Sequence, residues 1–175
     1  MARVILFLHA FVYILLAGCS LEFGTDNEAV SIGETGFITD VADGESVLIK
    51  NTYYTLSENT SLKDSNGEEL SFKDLEIGMK AKVWYEGDLK ESLPSRADAK
   101  LIMIQKDRQS LTEQKVVASA ISFLQEGESQ RFFVRKLTYL AAEKAYQLEM
   151  MSRSNTDASF FVTVDELTYE ILYQD

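Results

Sequence analysis

Hydrophobic spacing changes from a period of two to a helical period around Lys106-Asp107-Arg108, and that switch limits the folds open to this chain. Up to Ile104 the apolar residues come in short runs, several with a period of two, the spacing of strands that bury one face. The runs are Gly36-Phe37-Ile38-Thr39, Ser46-Val47-Leu48-Ile49, Thr52-Tyr53-Tyr54-Thr55-Leu56, Met79-Lys80-Ala81-Lys82-Val83-Trp84 and Ala99-Lys100-Leu101-Ile102-Met103-Ile104. Turn formers separate them: Asp43-Gly44 between the first two, and Asp64-Ser65-Asn66-Gly67, where Gly67 supplies the positive φ a hairpin needs. Short strands in series predict a small antiparallel, β-barrel-like domain over 34–106.

Beyond the switch the spacing is helical. Ser110-Leu111-Thr112-Glu113 has the form of a capping box, and Val117, Ala120, Ile121 and Leu124 fall at i, i+3, i+4 and i+7. A helix is predicted over 111–125, stopped by Gly127. Arg131 to Leu140, Ala145 to Ser152 and Phe160 to Val164 then have strand character, with Ser154-Asn155-Thr156-Asp157 as a turn and Tyr169 to Tyr173 as a last extended piece. The economical arrangement over 108–175 is a helix packed on an antiparallel sheet, and the fold class of the whole is α+β.

The first residues follow the grammar of an export signal: Met1 to Arg3 is basic, Val4 to Leu16 is apolar, and Ala17-Gly18 is small. The apolar run is about 13 residues, short of the roughly 20 that a membrane-spanning helix needs. Leu16-Ala17-Gly18-Cys19 resembles the bacterial lipobox, in which the thiol receives a diacylglyceryl group before cleavage. That resemblance implies a signal peptide over 1–18, cleavage between Gly18 and Cys19, lipid attachment at Cys19, and a lipidated tether over 19–33. It places the chain on the extracytoplasmic side of a cell membrane. Cys19 is the only cysteine, so no disulfide framework is available to the exported chain. Lys and Arg number 17 against 28 Asp and Glu. Nucleic acid is therefore not an expected partner, because such binding needs clustered positive charge to replace phosphate counterions.

Chemistry is sparse. The single histidine, His9, lies within the signal, which leaves no imidazole for a triad, a general base or a metal. Ser92 lacks the Gly-x-Ser-x-Gly elbow and fits a turn before Pro94. The stretch from Asp64 to Glu69 lacks the ligand spacing of an EF-hand and fits a hairpin. Asp40, Asp43 and Glu45 are expected to be solvated turn charges. No catalytic residue, no metal site and no cofactor are expected. Trp84 and Tyr85 are the candidate binding face, a stacking platform on the strand that begins at Met79.

Two family resemblances complete the sequence picture. Gly36-Phe37-Ile38, Thr60 before the Gly67 turn, Leu75-Glu76-Ile77-Gly78 and Glu91-Ser92-Leu93-Pro94-Ser95-Arg96-Ala97-Asp98-Ala99 resemble a β-rich domain of unknown function found in lipoproteins of low-GC Gram-positive bacteria. This covers 34–106 and implies an oligonucleotide/oligosaccharide-binding type of barrel without an assigned activity. Val162-Thr163-Val164-Asp165-Glu166-Leu167-Thr168-Tyr169-Glu170-Ile171-Leu172 is similar to the closing pattern of PepSY-type domains, with Tyr169 where that family carries Gly. The second resemblance implies contact with another exported protein, such as a protease or its prosegment. Together they point to a non-enzymatic binding or regulatory protein of the cell envelope; the alternative is a structural or sporulation-type envelope protein without a diffusible ligand.

Overall fold

The computed structural model describes residues 29–42, 45–90, 92–126 and 130–174. The signal, Gly18, Cys19, most of the tether, the Asp43-Gly44 turn and the Gly127 helix stop lie outside the described residues.

Among the described residues, the chain before the period switch contributes seven strands: β1 (Val30–Ile32), β2 (Gly36–Ala42), β3 (Ser46–Ile49), β4 (Thr52–Thr55), β5 (Ser61–Asp64), β6 (Lys80–Lys90) and β7 (Ser95–Ile104), with a 3-10 turn at Phe72–Asp74 before β6. They form one sheet of order β1-β6-β2-β3-β4-β7-β5, and an additional pairing of β6 with β7 joins β2, β3, β4, β7 and β6 into a ring. The pairing is not all antiparallel as predicted, because β7 runs parallel to both β4 and β5. A parallel neighbour requires a crossover, and the chain from Leu56 to Pro94, which carries β5 and β6, supplies it. Val30–Ile32, predicted to be tether, is instead an edge strand paired with Trp84 to Glu86 of β6. Ile38, Val47, Ile49, Ala81, Val83, Ile102 and Ile104 fill the ring, each almost wholly removed from water. β6 follows its alternating sequence: Ala81 and Val83 point inward, while Lys80, Lys82 and Trp84 are half-exposed.

After the switch come one helix, α1 (Arg108–Gln125), and four strands, β8 (Phe132–Leu140), β9 (Ala145–Ser152), β10 (Asn155–Asp165) and β11 (Ile171–Gln174). The sheet is antiparallel throughout, in the order β11-β10-β9-β8. Val116, Val117, Ala120 and Ile121 of α1 are buried against Phe132, Val134, Leu148, Met150, Val162 and Val164, so the predicted helix-on-sheet layering holds. The helix starts three residues earlier than predicted. Asp107 is its N-cap, with Oδ1 accepting from Ser110 N at 3.0 Å and Oδ2 accepting from Ser110 Oγ at 2.6 Å. The capping-box reading fails because Ser110 donates to Asp107 and Glu113 is engaged elsewhere: its Oε2 accepts from Lys80 Nζ of β6 at 2.8 Å, and its Oε1 from Gln109 Nε2 at 2.7 Å.

The two parts meet over an apolar junction. Phe37 of β2 is buried in the helix-and-sheet core, and Ile77 packs on both that core and the ring core. Leu48, Tyr53 and Phe133 make a smaller cluster at a second point of the junction. Gly78, at φ +88°, lies under α1: a Cβ there would sit 2.2 Å from the Gln114 carbonyl oxygen. Its backbone N–H donates to Ile38 O at 2.7 Å, which fixes the segment that carries it.

Candidate functional site

Where β2, β3 and β7 of the ring meet Arg131, just before β8, and Arg153, in the β9–β10 turn, the surface is hollow. The hollow is about 410 Å³ and is lined by Asp40, Ala42, Ser46, Tyr53, Arg96, Arg131 and Arg153. Three of its seven lining residues are arginines, in a chain with 17 cationic and 28 anionic side chains. Asp40 lines it and is only 7% exposed. Its Oδ2 accepts from Tyr53 Oη at 2.6 Å and lies 2.8 Å from Arg131 Nε. Asp40 is therefore a buried, doubly engaged carboxylate, not the solvated turn charge predicted; burying it requires those partners. Burial first, and then the hydrogen bond to Asp40, raise the Tyr53 hydroxyl above the usual tyrosine value, while the charges of Arg153 and Arg131 oppose the rise. The Arg96 guanidinium lies 5.7 Å from the centre of the Tyr53 ring, and Arg153 N donates to Arg131 O at 2.8 Å, so backbone and ring contacts bring the three arginines into one place.

The predicted pair Trp84 and Tyr85 does not form a common platform. Tyr85 packs on the ring core, 6.0 Å from Tyr54 between ring centres. Trp84 stays half-exposed, with Lys82 Nζ 5.1 Å from its ring centre. Adjacent residues of a strand face opposite ways, and the register shift between Trp84 and Tyr85 in the pairing with β7 does not bring them together.

Other singled-out residues have local roles. Ser92 Oγ donates to Pro94 O at 2.6 Å, as a turn residue does. Asp64 Oδ1 accepts from Asn66 N at 2.8 Å and Glu68 N at 3.0 Å around Gly67, at φ +89°. That carboxylate closes an Asx turn rather than a cation loop. Tyr169, at φ +60°, adopts the left-handed conformation that Gly favours; its ring packs on the second core with Lys115 Nζ 5.4 Å above it.

At the far side of the second sheet, β11 is the edge strand. Leu172 is 50% exposed, Tyr173 42% and the preceding Leu167 77%. Tyr173 pairs with Thr163 of β10, and Phe161, two residues before Thr163, is also exposed.

No curated protein and no solved structure matches the chain significantly. A family model matches residues 35–105. The segment that carries β2 to β7 is thus similar to the family described as Protein of unknown function (DUF3221).

Proposed function

We propose that this chain is a lipid-tethered, extracytoplasmic binding protein without catalytic activity, anchored through diacylglyceryl-Cys19 and contacting another exported protein through its C-terminal sheet. The open edge at β11 carries the reading. Its outer side pairs with no strand among the described residues, and Leu172 and Tyr173 present large apolar surface there, beside Leu167. Such an edge accepts an added strand, with main-chain hydrogen bonds giving affinity and the side chains selecting the partner. The similarity of 162–172 to the PepSY closing pattern supports a protein partner, and the lipobox at Leu16 to Cys19 supports the tether. In this reading the ring is an oligonucleotide/oligosaccharide-binding type of barrel that serves as the membrane-proximal base.

A photo-crosslinking amino acid at position 173 of the full chain, in living cells, should yield a discrete adduct with one exported protein, and the same group at Lys63 should not. Fatty-acid labelling should mark the same chain and disappear with Cys19→Ser. Labelling that survives the substitution removes the anchor from the proposal. Labelling without any adduct from position 173 favours a structural envelope protein instead.

A further inference from the structure

We propose that the arginine-lined hollow between the two parts of the molecule binds a phosphate group through Arg96 and Arg153. The inference does not depend on the β11 reading, since the hollow and the edge strand share no residue.

Charge comes first. The lining holds three arginines and one carboxylate, and the net positive charge of such a cleft attracts an incoming anion. Within it the groups divide by their partners. Asp40 is already engaged by Tyr53 and Arg131, so its negative charge is offset within the lining. Arg96 and Arg153 are exposed, and neither has a carboxylate within ion-pair distance among the described residues. Two guanidiniums without carboxylate partners match a dianion, whereas a single carboxylate would leave one charge unanswered.

Geometry then favours a phosphate oxygen set. A guanidinium presents a planar fork of donors that meets two oxygens of a tetrahedral oxyanion at once, and two forks converging from different elements can share one such group. Arg96 projects from β7 and is steadied over the Tyr53 ring at 5.7 Å. Arg153 follows the last residue of β9, where a backbone bond to Arg131 holds its main chain beside the hollow. The donors thus come from both halves of the chain. A hollow of about 410 Å³ has room for a phosphate and part of a small molecule esterified to it.

The test uses the purified full chain in detergent at constant ionic strength. Inorganic phosphate and glycerol 3-phosphate are titrated separately by calorimetry, with chloride as the screening control. Saturable one-to-one binding of at least one phosphate is expected. Arg96→Gln and Arg153→Gln should each weaken it by roughly tenfold or more, the loss expected when a charge-assisted hydrogen-bonding group is removed. Arg153→Lys, which keeps the charge and loses the fork, should retain part of the affinity; Lys73→Gln, on the exposed 3-10 turn, should retain all of it. Binding of inorganic phosphate alone identifies the free ion as ligand, and binding of glycerol 3-phosphate alone identifies an ester. No saturable heat with either, or equal binding by wild type and both glutamine variants with unchanged melting temperatures, overturns the proposal.

Discussion

Asp40 illustrates how a residue's neighbours in sequence can misstate its surroundings. Beside Asp43 and Glu45 it has the pattern of a turn charge, yet it occupies β2, where Tyr53 from β4 and Arg131 from beyond the helix close over it. The consequence is visible at Tyr53, whose hydroxyl is buried and donates to a carboxylate, so its ionised form is disfavoured in the fold. Tyr54 and Tyr146 are raised chiefly by burial, and Tyr139 by its hydrogen bond to Glu166. A group whose pKa is raised on folding adds stability that is complete below its unfolded value and is lost as pH climbs through the folded one. Stability should therefore hold up to about pH 10, the ordinary tyrosine value, and decline above it. An alkaline titration of tyrosinate absorbance should show several late-titrating groups in the native chain, with one fewer in Tyr53→Phe. Titration of all tyrosines at the ordinary value in the folded protein would contradict the Asp40–Tyr53 contact.

Elements were legible in proportion to their length and the clarity of their punctuation. β3 and β9 stand at the residues predicted, β3 as a short apolar run, and α1 carries the apolar stripe that predicts it. β1 and β5 were missed; each is three or four residues long and holds its place by pairing with β6 or β7 rather than by its own pattern. Nothing in local spacing encodes that β4 and β7 are parallel, which depends on the crossover. The hollow was illegible for a related reason: Arg96, Arg131 and Arg153 lie on separate elements, and only the fold gathers them. Period two did contain one usable signal, since it places Trp84 and Tyr85 on opposite faces of β6. The seat of α1 gives a test at this scale. Gly67 and Gly78 have nearly the same backbone angle, φ +89° and +88°, but an added Cβ meets nothing at Gly67 and the Gln114 carbonyl at Gly78. Gly67→Ala should cost about 1 kcal/mol, the left-handed penalty alone. Gly78→Ala should cost about 3 kcal/mol, because α1 must also shift. Denaturant midpoints compare the two; equal losses would mean that the helix yields without cost.

On the scale of the whole molecule, the period switch marks a boundary in sequence that the packing crosses. Units 34–106 and 108–175 meet at a polar junction, and junctions of that kind usually tolerate cutting. Yet Phe37, on β2 of the ring, is buried among Val116, Val117, Phe132 and Val164, and Lys80 of β6 reaches Glu113 of α1 at 2.8 Å. The second unit is small, and chains of its size are marginal when they must fill a core alone. Removing the first unit takes away a large aromatic that the second core cannot replace. Phe37→Ala in the full chain should therefore cost about 3 kcal/mol, the usual loss for a buried aromatic truncated to alanine. The location of that loss decides the issue. If the core is shared, amide hydrogen exchange should rise in α1 and in β8 to β10 as well as around β2, and a single unfolding transition should move as one. If exchange rises only within β2 and its ring neighbours while α1 keeps its protection, the second unit is self-sufficient and the junction is a docking contact between independent parts.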